Sequence, residues 1–521
     1  YLGKMAKHKA FSKTLLTSIF LGLGGFLYGY DSGIITPSLA LRSFNQDFGN
    51  PGPSLRGAIV SIYQAGAWFG SASVGLTSDR FGRRKAILLG CVWGVVGAAV
   101  MTGAAHVAML VLGRLLVGFA VGTITGVAPV YAAEIAKTHE RARLTAVNQM
   151  MVAWGFFVAL WTGVGEGKWN NPNQWRLGFA IQGIPALLLA AGVLFLDESP
   201  RWLLLKGRAE EAEIAFRNYH YSRAEDDEWC RSEFALMQVN IAEEVRTQHQ
   251  LSWGDLLKTP AFRGRLFVGS FVWAAAMLAG ISFVQYFQTA IYATLQYDES
   301  QQLLISGLYG TVGPIACIVS LFFVDRVPRR TILVSSSALL SLCFLIITVI
   351  AAVFPAQPGT PTNAAAQRGL IACIFAVSAN YSALLGPMTW IIPSVDSFFL
   401  PLCSFTKPPP NSPEVFTTEL RAKANAIVQV IHYSISLIIT QCSPIALAAV
   451  GWKYYIMFIL TNALCALVFF LAYPETKGKS LEEIAELFGD VDTLHKSDMR
   501  EVEEKVVAKT DEYRRSRESF A

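Results

Sequence analysis

Asp31 stands in the run LTSIFLGLGGFLYGYDSGIITPSLALRSF, a stretch of small and apolar residues with no base beside the acid. A charged carboxylate deep in such a segment costs roughly 2.5–3.5 kcal/mol on membrane-insertion scales, so its presence implies a proton to carry or a partner to hold. His432 is the histidine that falls well inside an apolar run, and it reads two ways. Either it titrates or binds an anion, or it is a neutral imidazole hydrogen-bonded within its own helix. Enzyme chemistry finds little support, with no nucleophile–base pairing, no metal-ligand spacing and no coenzyme motif. GLGG at 22–25 follows no strand, so it reads as close helix packing rather than a phosphate loop.

The elements that must position Asp31 are membrane helices. The chain has 521 residues, 53% of them hydrophobic and 16% charged. Twelve apolar stretches lie near 15–36, 57–78, 86–105, 108–131, 144–164, 177–196, 265–290, 302–324, 331–354, 370–393, 418–447 and 453–472. Each is long enough to cross a hydrocarbon core of about 30 Å. The class is therefore an all-α membrane protein with twelve transmembrane helices in a lipid bilayer. No cleavable signal peptide stands out, and the chain opens on Tyr1, so its start lies upstream or at Met5. With the first terminus placed in the cytoplasm, the inner loops hold thirteen Lys and Arg and the outer loops six. That bias predicts both termini in the cytoplasm. The net charge of +5 is spread along the chain and suggests no nucleic-acid partner. Most of the eight cysteines sit in apolar segments as small hydrophobes, with no disulfide framework.

Three charged motifs occur twice, in the same order. SDRFGRRKAIL, with Asp79, Arg83 and Arg84, rhymes with VDRVPRRTIL, with Asp325, Arg329 and Arg330. Glu134 precedes Arg141 by seven residues, and Glu414 precedes Arg421 by seven. DESPRWLLLKGRAEEAE, with Glu198 and Arg201, corresponds to PETKGKSLEEIAEL, with Glu475. The order implies a duplicated six-helix unit, and two parallel halves of that kind form the major facilitator architecture, with a substrate site near the midplane. The expected divisions are a cytoplasmic segment 1–14, a bundle 15–197, a linker with short helices 198–264, a second bundle 265–473 and a cytoplasmic tail 474–521. The motif charges are expected to form an ion-pair latch at the cytoplasmic helix ends that breaks when the halves rock.

GGFLYGYDSG, GRLLVGFAVG, PVYAAE…RARL, ESPRWL, GPMTW and PETKGKSLEE together resemble the sugar porter family of the major facilitator superfamily, along nearly the whole chain. The resemblance implies that Asp31 is the proton-coupling aspartate and Arg114 the helix-4 arginine facing it. It implies sugar contacts at Gln149 and Trp390, an amide and a ring face suited to a pyranose. Helix 7 departs from the pattern, with Ala276, Met277 and Ser282 at three polar positions, and Gln285 lies on about the same face as Ser282. Phe156 replaces a glutamine, Gly313 an asparagine, and His432 and Tyr433 stand at the polar–aromatic pair of helix 11. Hydroxyls left unpaired cost about 1–3 kcal/mol each, so a simple hexose fits less well than a larger or less hydroxylated sugar, a polyol or a sugar-like acid.

The resemblance predicts a monomeric, multi-pass plasma-membrane symporter of protons and such a solute, with no cofactor. A proton-independent facilitator and a non-transporting sensor are the alternatives. The pattern breaks at 395–413, nineteen residues that separate Ser394 from Glu414 and end near three prolines. They are either a genuine loop or translated non-coding sequence that keeps the frame. NYS at Asn380–Ser382 fits a glycosylation pattern but falls inside helix 10, out of a transferase's reach.

Overall fold

The computed structural model describes residues 17, 19–135, 141–220, 226–248, 260–320, 322, 326–354, 363–391 and 418–473. Every regular element among them is helical. The first half holds α1 (Leu23–Ala40), α2 (Pro53–Phe81), α3 (Arg83–Thr102), α4 (Val107–Ile135), α5 (Arg141–Lys168) and α6 (Gln174–Ile181 with Gly183–Val193). The second holds α7 (Pro260–Leu278 with Ile281–Thr294), α8 (Glu299–Ser320) and α9 (Arg329–Val353). It continues with α10 (Ala364–Asn380, Tyr381–Leu385 and Gly386–Ile391), α11 (Thr418–Val450) and α12 (Tyr455–Ala472). The 395–413 insertion lies outside the described residues.

Small residues set the helix spacing. Gly25, Gly29 and Gly33 recur every four positions on α1, and the backbone of α5 at Asn148, Val152 and Phe156 lies where their side chains would be. Helices in lipid gain little from hydrophobic burial against each other, so close backbone contact replaces it. Large apolar side chains such as Leu76, Leu112, Ile438 and Leu460 stay exposed around the outside, the surface that a bilayer covers.

The repeat is visible in the packing. In the first half α3 packs on α4 and α6; six helices later α9 packs on α10 and α12. The last arginine of each D-R-x-x-R-R motif does the same work. Arg84 donates to the Leu194 carbonyl just beyond α6, and Arg330 donates to the Phe470 carbonyl near the end of α12. The halves meet along α2–α11, α5–α8 and α1–α7.

Three helices are interrupted. α6 breaks at Gln182. α7 breaks at Ala279–Gly280, where Gly280 has φ +84° and Asn462 Nδ2 donates to the Ala279 carbonyl at 3.3 Å. α10 carries one π turn over Tyr381–Leu385. Asn380, just before it, exchanges two hydrogen bonds with Ser336 of α9, at 2.8 and 3.0 Å. The linker contains helices Pro200–Leu205, Ala209–His220 and Asp226–Gln248, which share a small core of Trp202, Leu203, Phe216 and Phe234. Tyr131 on α4 ties it down through the Asp197 carbonyl and the Tyr219 hydroxyl.

Candidate functional site

A cavity lies between the halves, walled by α1, α2 and α5 on one side and α7, α8, α10 and α11 on the other. Its lining is rich in aromatic residues, among them Tyr28, Tyr286, Tyr309, Tyr381, Trp273 and Trp390. Its polar atoms come from Gln64, Gln149, Gln285 and several serines. None of the described residues that line it carries a charge. The π turn of α10 brings Tyr381 and Ser382 into the wall.

Two hydrogen-bonded junctions cross this cavity. Trp390 Nε1 on α10 donates to Gln149 Oε1 on α5 at 2.6 Å. Tyr286 on α7 accepts from Gln64 Nε2 on α2 at 2.9 Å and donates to Ser32 Oγ on α1 at 3.3 Å. Toward the end of α1 at Ala40, Thr36 Oγ1 donates to the Gln285 carbonyl at 2.7 Å, and Ser61 Oγ on α2 donates to Gln441 Oε1 on α11 at 2.7 Å. The halves are thus closed on each other at that end.

Asp31 sits directly behind the α1 wall, next in sequence to Ser32. Its side chain and that of Arg114 are fully buried, with Oδ2 to Nη2 at 3.7 Å. The separation is an ion pair without a hydrogen bond. Asp31 Oδ1 instead accepts from Gln182 Nε2 at 2.6 Å, at the break in α6. Arg114 lies over the Tyr63 ring at 5.3 Å, a cation–π contact in a buried setting. Gln182 was not legible beforehand: an amide in an apolar run carries no motif.

Of the other expected substrate contacts, Gln149, Phe156, Ser282, Gln285 and Trp390 line the cavity. His432 and Tyr433 stand behind its wall. His432 stacks on Trp273 at 4.3 Å and has Gln429 Oε1 3.4 Å from Nδ1; Tyr433 is 3.3 Å from Thr125 on α4. Ser282 donates to Met277 Sδ at 3.3 Å.

The charged end of the first half is held by Arg83. Its guanidinium makes a two-pronged contact with Glu134, at 2.9 and 3.1 Å, and reaches Asp79 at 3.4 Å. Glu198 accepts from the backbone N–H groups of Arg83 and Arg84, at 2.9 and 3.2 Å, so it caps α3. Gly82 permits this: its φ is +96°, and the Glu198 carboxylate occupies the space where a Cβ would stand. Among the described residues these contacts join α2, α3, α4 and the chain after α6, and so brace that half. Arg201 lies in the linker helix Pro200–Leu205, and Arg329 opens α9. Asp325, Glu414 and Glu475 lie outside the described residues, as do the side chains of Arg141 and Arg421.

Known proteins share this chain's family and fold. The family model described as sugar (and other) transporter matches residues 17–398 and 408–488. The MFS-type transporter criB of Aspergillus cristatus is 34% identical over 492 residues, covering 94% of this chain and 97% of that protein. The glucose transporter GlcP of Staphylococcus epidermidis is 28% identical, covering 90% and 96%. The structure of the proton:xylose symporter XylE bound to 6-bromo-6-deoxy-D-glucose superposes with a TM-score of 0.73, at 22% identity, covering 92% and 99%. The chain therefore belongs to the sugar (and other) transporter family of the major facilitator superfamily.

Proposed function

We propose that this transporter is a proton-coupled symporter of an uncharged hydroxylated solute, a sugar or polyol, working by alternating access. The observation that carries the reading is the Asp31–Arg114 pair, fully buried one residue from the cavity wall. While Asp31 is ionised it needs Arg114 and Gln182; a proton on Asp31 removes that need and lets α1 move. Ser32 transmits the change, because Tyr286 of the opposite half is bonded to it. A charge crossing the membrane is worth about 2.3 kcal/mol per 100 mV, so one proton supports roughly fiftyfold accumulation at that potential.

The lining narrows the solute. Stacked rings beside amides and hydroxyls suit a molecule with an apolar face and a polar rim. A sugar-like acid would enter a cavity where no described lining residue is basic, so the neutral members of the expected set fit better. GlcP is a glucose transporter and XylE a proton:xylose symporter, which supports both halves of the reading. The positive-inside bias supports a cytoplasmic placement of the Arg83–Glu134 end, and the plasma membrane is the proposed location.

Purified protein in proteoliposomes under an imposed pH gradient tests this. Wild type accumulates a labelled sugar or polyol above equilibrium and alkalinises the proton-rich side, whereas Asp31→Asn does neither. Uptake to equilibrium without proton movement means a facilitator. Binding without any uptake means a sensor.

A further inference from the structure

Behind the cavity, a second acid is buried in the same half as Asp31. Glu166, near the end of α5, is 1% exposed. Among the described residues its carboxylate has no side-chain hydrogen-bond partner, and its polar neighbour is the backbone of Gly178. It faces α6 at Gly178, whose lack of a side chain makes the room: a Cβ there would stand 2.5 Å from Glu166 Oε1 and against Ile34 of α1. Gly178 is four positions before Gln182, the residue that holds Asp31. One helical turn of α6, about 6 Å of rise, therefore separates the places where the two acids touch it. Tyr30 of α1, next to Asp31 in sequence, spans the gap by donating its hydroxyl to the Gly178 carbonyl at 3.0 Å.

The surroundings offer Glu166 no ready base. Arg176 on α6 is engaged by the Thr102 carbonyl, by Asn173 Oδ1 and by the Trp175 ring. Lys168, at the end of α5, is exposed. Asp47, on the short helix Arg42–Asp47, is taken by the Trp175 indole at 2.8 Å, and Tyr30 is the titratable group on α1. A proton is then the positive charge at hand to neutralise Glu166, and an ionisable group at such depth reads as part of a charge pathway.

We propose that Glu166 is a second proton-binding carboxyl in series with Asp31, loading it from the end of the bundle where α1 and α5 finish. The proton that leaves Glu166 is the one that Asp31 gains, carried by water across the one-turn gap beside α6, since the Gly178 carbonyl and the Gln182 amide pass no proton themselves, and Glu166 is refilled from the solution at that end. The inference rests on Asp31 being the coupling site, and it adds the route by which the proton arrives.

The test is the initial rate of uptake in proteoliposomes, with the loading side set between about pH 5 and about pH 7.5, for wild type, Glu166→Gln and Glu166→Asp. Without the relay, loading is slowest where protons are scarce. The ratio of Glu166→Gln to wild type is therefore expected to fall several-fold across the range, and Glu166→Asp, which keeps a carboxyl, to restore most of the wild-type slope. A ratio that stays flat, or a Glu166→Asp profile matching Glu166→Gln, overturns the relay. Should Glu166→Gln not fold, the relay stands or falls on whether Glu166→Asp follows the wild-type profile. Accumulation surviving in Asp31→Asn is a different result and removes the coupling site itself.

Discussion

Trp390 and Gln149 join the two halves of the transporter across its cavity, by an indole N–H donated to an amide oxygen at 2.6 Å. Both are expected solute contacts, and the bond pairs the Gln149 amide with the protein's own ring. Solute must displace that bond to use Gln149, and displacement has a cost of about 1 kcal/mol.

Trp390→Phe and Gln149→Ala therefore separate. The phenylalanine keeps a ring face but frees Gln149 Oε1, so KM is expected to stay level or fall. The alanine removes the amide altogether, and KM is expected to rise about tenfold, the equivalent of one lost hydrogen bond. Initial rates over a range of sugar or polyol concentrations measure both. Equal rises in KM would mean that the bond is structural rather than exchanged with solute.

Arg83 is nearly inaccessible and holds Glu134 with two prongs. Removing one partner of a buried pair typically costs 3–5 kcal/mol, because the other charge is left stranded. Arg83→Leu is expected to lose about that much stability, read as a Tm drop of several degrees in detergent. Arg83→Lys keeps the charge but not the planar fork, and is expected to recover only part of the loss.

Which parts of this arrangement were legible in the sequence follows from what a motif can encode. The duplicated D-R-x-x-R-R stretches marked Arg84 and Arg330 as equivalent positions for an ion-pair latch, but not that each donates to a backbone carbonyl near the end of the sixth helix of its half. Asp31 stood out because charge inside an apolar run is costly, and Arg114 was implied by the family resemblance alone. Apolar runs give length but little phase, so the breaks at Gln182 and Gly280 and the π turn at Tyr381 were invisible. Gln182, Tyr286 and Ser382 reach their places through those breaks and through the contact between halves. His432 was conspicuous for its residue type, yet it stacks behind Trp273.

Glu198 gives a pH dependence with a definite sign. Burial pushes its carboxyl above the ordinary glutamate value, partly offset by the N–H groups of Ser199, Arg84 and Arg83. The folded chain then holds this proton to a higher pH than the unfolded chain does. Its contribution is complete below about pH 4.3 and is lost as pH rises through the folded value. Glu198→Gln keeps an acceptor for α3 without the titration, so its Tm relative to wild type is expected to improve as pH rises from acid toward neutral. Glu198→Ala uncaps α3 and is expected to cost about 1–2 kcal/mol, with no comparable improvement. Thermal unfolding at a series of pH values distinguishes the two.

Ser61 and Gln441 close α2 against α11 at the end away from Arg83, and Gln441 also reaches the Ser54 carbonyl at 3.4 Å. Alternating access requires this closure to open. Gln441→Ala removes the acceptor for Ser61 and the bond to Ser54, worth about 1 kcal/mol together, which shifts a two-state population roughly fivefold. Spin labels on cysteines placed at the exposed positions Leu55 and Val450, with the exposed Cys442 replaced by Ser, report the separation of the two helix ends. The longer distance is expected to gain population in Gln441→Ala and to lose it again when solute is added under conditions that favour the closed end. An unchanged distance distribution would mean that other contacts across the halves, such as Thr36 with Gln285, set the closure instead.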